Sequence, residues 1–158
     1  MSGSVSDYGG DVSLIQTVLL IHGPNLNLLG TREPEVYGTQ TLADHVKVAE
    51  VAVAQHGASL KSLQSNSESQ MIEAIHAASG TIDAIIINPG AFTHYSWAIH
   101  DALKSFPGPV VEVHLSNPAA REPFRHTSVI ASVAIGTIAG FGGQGYELAA
   151  HALFHHGG

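Results

Sequence analysis

Short apolar runs rich in β-branched residues recur along this 158-residue chain, separated by longer segments whose apolar positions return at helical spacing. That alternation is the pattern of a parallel sheet wrapped by helices, because parallel strands need crossover connections and those connections bury one face on the sheet. The runs predict strands at 17–21, 59–64, 84–88, 110–114 and 134–139, and helices at 42–56, 68–79, 95–106 and 146–155. Gly57, Gly80 and the Pro107-Gly108-Pro109 break supply stops. Thr41 with Asp44, Ser67 with Gln70 in a capping-box pattern, and Thr93 are the expected helix caps.

This order predicts an α/β fold: a flavodoxin-like doubly wound sheet of about five parallel strands with helices on both faces. In such sheets the ligand site lies outside the carboxyl ends of the strands, near the switch in strand order. Residues 1–16, rich in Gly and Ser and without the cationic start of a secretory signal, read as a flexible leader, and 17–158 as one catalytic domain. Hydrophobic residues make up 44% and charged residues only 12%, so part of the surface is expected to be covered by other copies of the chain. The formal net charge of −7 argues against nucleic acid and anionic membranes as partners. No apolar run approaches membrane-spanning length. The absence of cysteine fits a reducing compartment, and a cytoplasmic location is expected.

The polar residues that follow the strands carry the chemistry. After the first strand come His22-Gly23-Pro24-Asn25-Leu26-Asn27 and then Arg32-Glu33-Pro34-Glu35-Val36-Tyr37-Gly38. After the third comes Asn88-Pro89-Gly90-Ala91-Phe92-Thr93-His94, and after the fourth Leu115-Ser116-Asn117, then Arg121 and Arg125. All three arginines, Arg32, Arg121 and Arg125, fall in loops after strands, while Lys47, Lys61 and Lys104 fall in helix-like stretches. Guanidinium grips carboxylates bidentately, so arginines held off helix faces point to a ligand. Arg32 and Tyr37 in one loop make the phenol a candidate base; the plain alternative is a surface cation and a turn aromatic. Arg121 and Arg125 could equally pair with Glu122 or Glu147. Asn25 and Asn88 could tie turns together, and His114 could be an ordinary strand-end histidine beside Glu112.

Residue types exclude several chemistries. Gly140-Phe141-Gly142-Gly143-Gln144-Gly145 matches G-x-G-x-x-G, but too little chain follows for the further strand and acidic residue of a dinucleotide site, so a tight turn and close packing explain it better. No phosphate-binding P-loop exists. The lysines, read as lying on or beside amphipathic helices, argue against imine chemistry. A histidine metal site from His22, His94 and His114 stays open on spacing alone, as does a module that only binds a small anionic metabolite.

These same segments, with Gln64-Ser65-Asn66-Ser67-Glu68, Arg121-Glu122-Pro123-Phe124-Arg125 and Gly145-Tyr146, closely resemble the type II 3-dehydroquinate dehydratases, in order from about Val18 to about Leu153. The resemblance implies the reversible dehydration of 3-dehydroquinate to 3-dehydroshikimate in the shikimate pathway of aromatic amino acid biosynthesis. It implies anti elimination through an enolate, with no cofactor or metal, in a homododecamer built from trimers. By motif, Tyr37 resembles the base with Arg32 beside it, His114 the acid oriented by Glu112, and Asn25 the enolate-side residue. Asn88, His94, Leu115, Ser116 and Arg125 are implied to hold substrate, Arg121 to belong to a lid, and Asp101 to reach an adjacent subunit's site. His22 and Ser67 stand where many relatives have Asn and His. The physics of the base agrees: an unperturbed phenol is only ~0.1% ionised at neutral pH, a deficit of about 4 kcal/mol, and a guanidinium alongside offsets much of it.

Overall fold

The structure, a computed structural model, describes residues 15–31 and 33–156; Arg32 and nearly all of the sequence-assigned leader lie outside them. In chain order the main elements are β1 (Thr17–His22), α1 (Pro34–Tyr37), α2 (Leu42–Ala54), β2 (Ser59–Gln64), α3 (Glu68–Ala78), β3 (Ala84–Asn88), α4 (Trp97–Ser105), β4 (Val110–His114), β5 (Gly136–Ala139) and α5 (Gln144–His155). Every strand pairing is parallel and the strand order is β2-β1-β3-β4-β5, the doubly wound arrangement expected from the sequence. Ile15, assigned to the leader, is buried in the core instead.

Alternation along the strands sorts side chains into two cores. Val18 and Leu20 of β1, Ala84 and Ile86 of β3 and Val111 and Val113 of β4 pack with Ala49, Val53, Ala149 and Leu153 of α2 and α5. Leu19, Ile21, Ile85, Ile87 and Val110 pack with Met71, Ile75, Ile99 and Leu103 of α3 and α4. A strand buried on both faces has no polar alternation, which is why β1 and β3 read as unbroken apolar runs. Glu112 and His114 share the α3/α4 face with Val110, since side chains two apart lie on one side of a strand.

The caps refine the expectations. Thr41 and Asp44 form the reciprocal capping box at the start of α2, at 3.2 and 2.9 Å. At α3 only half of the box exists: Ser67 accepts from the Gln70 N–H, but the Gln70 side chain accepts from the Ser65 hydroxyl instead. Thr93 does not cap α4; Ser96 does, accepting from the Ile99 N–H at 3.1 Å, and residues 90–94 form a separate 3₁₀ turn. Lys61 lies on edge strand β2, not on a helix. The Gly140–Gly145 segment packs as expected: Gly140 and Gly142 have positive φ, and a side chain at Gly145 would meet Val113 at 3.3 Å where α5 rests on β4. No helix among the described residues is long and apolar enough to cross a membrane.

Two buried histidines give the fold an acid limit. Burial, with His45 nearby, pushes the His22 imidazole down to about 3, and burial also lowers His45, whose two ring nitrogens have no hydrogen-bond partner among the described residues. Both stay neutral in the folded state while the unfolded chain takes up protons below about 6.5. Stability is therefore fully present above that value and lost as pH falls toward 3. From His22 alone, urea unfolding at pH 5 is expected to show about 2 kcal/mol less stability than at pH 7.5. A flat profile over that interval would contradict a buried neutral His22.

Candidate active site

The strand order changes direction between β1 and β3, and the loops leaving β1, β3 and β4 meet there. Gly23 makes the close approach possible: its N–H donates to the Asn88 carbonyl at 2.8 Å, and a Cβ at this position would stand 2.2 Å from the Pro89 carbonyl oxygen. Asn25 adopts a left-handed conformation (φ 69°), its N–H donating to Asn66 Oδ1 at 3.0 Å. Gln64 ties this corner further through the Gly23 carbonyl and Asn66.

A cleft opens over these ends, lined by Asn25, Leu26, Tyr37, Asn88, Gly90, His94, His114, Leu115, Ser116, Arg121 and Arg125, with Pro24, Leu29, Ala91 and Pro118. Nine of the sequence-predicted site residues thus border one cavity. Glu112 stands behind His114 without solvent exposure. Asp101 is outside the cleft of its own chain, its side chain largely exposed beside His100. Arg32 lies outside the described residues, so its expected place beside Tyr37 is not seen.

Arg121, expected in a lid or paired with a nearby acid, lies 4.0 Å from Glu122 through Nε and also sits on the phenol: Nη1 donates to Tyr37 Oη at 3.1 Å and to Ser116 Oγ at 3.2 Å. Its guanidinium carbon lies 5.4 Å from the Tyr37 ring centre. Arg125 pairs with Glu122 through Nε at 2.6 Å, one of the plainer readings of its spacing, and still borders the cleft with the rest of its fork. Glu147 pairs instead with His151.

Across the cleft, His114 Nε2 lies 2.5 Å from Glu112 Oε2. Burial alone pushes the Glu112 carboxyl up. The hydrogen bond and charge of His114, followed by the Thr93 and Ser128 hydroxyls, outweigh that and hold it below the usual carboxylate range. An ionised Glu112 accepts only, so His114 Nε2 carries the proton between them and Nδ1 is left for a bound molecule.

Tyr146 was quoted in sequence without a role. It is fully buried, and its hydroxyl lies 2.9 Å from His22 Nε2 and 3.1 Å from Asn88 Nδ2. Neutral His22 accepts from that hydroxyl, and Asn88 donates to it. Asn88 Oδ1 accepts from the Gly90 N–H at 3.2 Å, which fixes the amide with nitrogen toward Tyr146. His22, the departure noted in sequence, is therefore part of the frame behind Asn88. Its neighbours in the open metal reading are committed elsewhere: His94 Nδ1 lies 2.8 Å from the Thr127 carbonyl and His114 is held by Glu112. Among the described residues no group of three or more His, Asp or Glu is placed to hold a metal ion. Thr93 and Ser128, which no motif singled out for the site, both reach the Glu112 carboxylate.

Residues 16–154 match the family model described as "Dehydroquinase class II". The 3-dehydroquinate dehydratase of Ruegeria pomeroyi is 57% identical over 141 residues, covering 89% of this chain and 94% of that protein. The catabolic 3-dehydroquinase of Emericella nidulans is 54% identical over 134 residues, covering 85% and 88%. Among solved structures, the type II dehydroquinase of Propionibacterium acnes superposes with a TM-score of 0.84 at 44% identity, covering 88% of this chain and 96% of that one. That of Butyrivibrio crossotus gives 0.85 at 42%, covering 88% and 97%. With a family match over residues 16–154 and solved relatives that superpose across nearly the whole fold, this chain belongs to the class II dehydroquinase family.

Proposed function

We propose that this chain dehydrates 3-dehydroquinate to 3-dehydroshikimate, with Tyr37 as base and His114 as acid. The observation that carries the reading is the cleft itself, where a phenol under the Arg121 guanidinium and an imidazole backed by a buried carboxylate border one cavity. Tyr37 takes the proton from the carbon next to the substrate ketone, and the electron pair moves onto the carbonyl oxygen as an enolate. The enolate collapses to form the conjugated double bond and expels the β-hydroxyl, which leaves as water with a proton from His114 Nδ1. Removal and departure on opposite faces make this an anti elimination. The proton on Tyr37 returns to solvent, and His114 is reprotonated, so no cofactor enters the balance.

Arg121, whose Nη1 donates to Tyr37 Oη, is assigned to support and orient the base, and Arg32 is assigned the same service from its place in the loop. Asn25, exposed at the edge of the cleft, is assigned the enolate side, where a donor is worth most as charge develops. Asn88, His94, Ser116 and the backbone at Leu115 are assigned the hydroxyls, and Arg125 the carboxylate. Asp101, outside the cleft of its own chain, is assigned to the site of a neighbouring copy in a dodecamer of trimers, and the working location is the cytoplasm.

Purified protein given 3-dehydroquinate should generate the ultraviolet absorbance of a conjugated enone, unchanged in excess chelator; no absorbance change at any pH from 5 to 9 would reject the reading. Tyr37→Phe is expected to lower kcat by roughly two to four decades while keeping substrate affinity, the range for loss of a positioned base. Arg121→Ala and Arg32→Ala are each expected to slow turnover by a similar order. Variants of both arginines with near-normal kcat would remove guanidinium activation from the account.

A further inference from the structure

Glu112 carries its charge in a place with no water, and His114 supplies only one of the hydrogen bonds it needs there. Thr93 Oγ1 lies 2.5 Å from Glu112 Oε2, and Ser128 Oγ lies 2.9 Å from both carboxylate oxygens. The two hydroxyls are 2.8 Å apart, and the segments that bear them are tied by the Val129 N–H donating to the Thr93 carbonyl at 2.8 Å. Which way their protons point follows from counting. Ser128 Oγ accepts from the Ile130 and Ala131 N–H groups at 3.1 and 3.0 Å, so both of its lone pairs are taken and its proton must be donated. The carboxylate is the acceptor on hand. With Ser128 already saturated as an acceptor, the Thr93 proton also goes to Glu112. Thr93 and Glu112 are essentially without solvent exposure, so no water substitutes for either donor when it is removed.

Resting on the function proposed above, we propose that Thr93 and Ser128 are positioning residues for the acid step: their hydroxyls fix the buried Glu112 as a carboxylate that holds the His114 Nε2 proton and turns Nδ1 toward the substrate. Neither touches the cleft. Without them an unsatisfied carboxylate would take up a proton and become a donor itself, and the orientation of the imidazole would be lost. His114 is the ionisable group bonded to Glu112; among the described residues the other ionisable groups that line the cleft are Tyr37, His94, Arg121 and Arg125.

The test compares Thr93→Val, which keeps shape and removes only the hydroxyl, with Thr93→Ser, which restores it, and with Ser128→Ala. At pH 7, Thr93→Val and Ser128→Ala should lower kcat for 3-dehydroquinate about tenfold, because Glu112 no longer holds the His114 imidazole in place. KM should change less than about twofold, since the hydroxyls do not reach substrate. Thr93→Ser should restore most of kcat. Unchanged kcat in Thr93→Val, or an equal loss in Thr93→Ser, would overturn the inference. A second readout stands apart from turnover: the Glu112 carboxyl carbon, followed by NMR in uniformly ¹³C-labelled protein, should titrate at higher pH in Thr93→Val than in the unaltered chain. A higher Glu112 titration in Thr93→Val together with no turnover by the unaltered protein would fail the proposed reaction alone; the same Glu112 titration in both proteins would fail this inference alone. Ser128→Ala that does not fold leaves the decision with the threonine pair.

Discussion

A negative charge without water at the end of β4 is the constraint around which the site is arranged. Glu112 is on the same strand face as the apolar Val110, and its carboxylate survives there because hydrogen bonds and the adjoining imidazole replace the lost hydration. The arrangement draws three pieces of chain together: the 3₁₀ turn after β3 through Thr93, the loop before β5 through Ser128, and the strand end itself through His114. In the proposed reaction the acid comes from this strand end and the base from the short surface helix α1, whose Tyr37 hydroxyl accepts from Arg121 Nη1.

A second buried polar frame supports Asn88 as the hydroxyls around Glu112 support His114. The Tyr146 hydroxyl joins His22 at the end of β1 to Asn88 at the end of β3, so helix α5 locks together the two strands where their order reverses. Each partner is satisfied only if His22 is neutral, which couples the shape of the cleft to the same depressed imidazole that limits the fold in acid. The Asn88 amide keeps its orientation before any ligand arrives, and pre-set donors lose less on binding than donors that must first be ordered.

The parts that were legible in sequence were those fixed by local rules. β2, β3 and β4 match the expected bounds because apolar runs framed by turn residues leave little freedom, and the strand ends then dictated which polar residues would meet. Choices among similar groups were not legible. Thr93 and Ser96 are both hydroxyl residues ahead of a helix, and only the tertiary arrival of Glu112 decides that the first is claimed by the site and the second caps α4. Ser128 carries no local pattern at all; its role comes from two backbone donors and a strand distant in sequence. Arg121 looked like a lid residue or a partner for a nearby acid, because its contact with Tyr37 joins positions 84 apart. Lys61, grouped with the helix-like stretches although it falls inside the run predicted as the second strand, lies on that strand, where a cation suits an exposed sheet edge.

The division of labour between Tyr37 and His114 is tested most directly by following hydrogen exchange at the carbon next to the ketone of 3-dehydroquinate in deuterated water by proton NMR. With His114→Ala, exchange at that carbon should continue while water loss nearly stops, because the enolate still forms; with Tyr37→Phe, both should cease. Exchange that survives in Tyr37→Phe, or vanishes in His114→Ala, would contradict the assignment of base and acid.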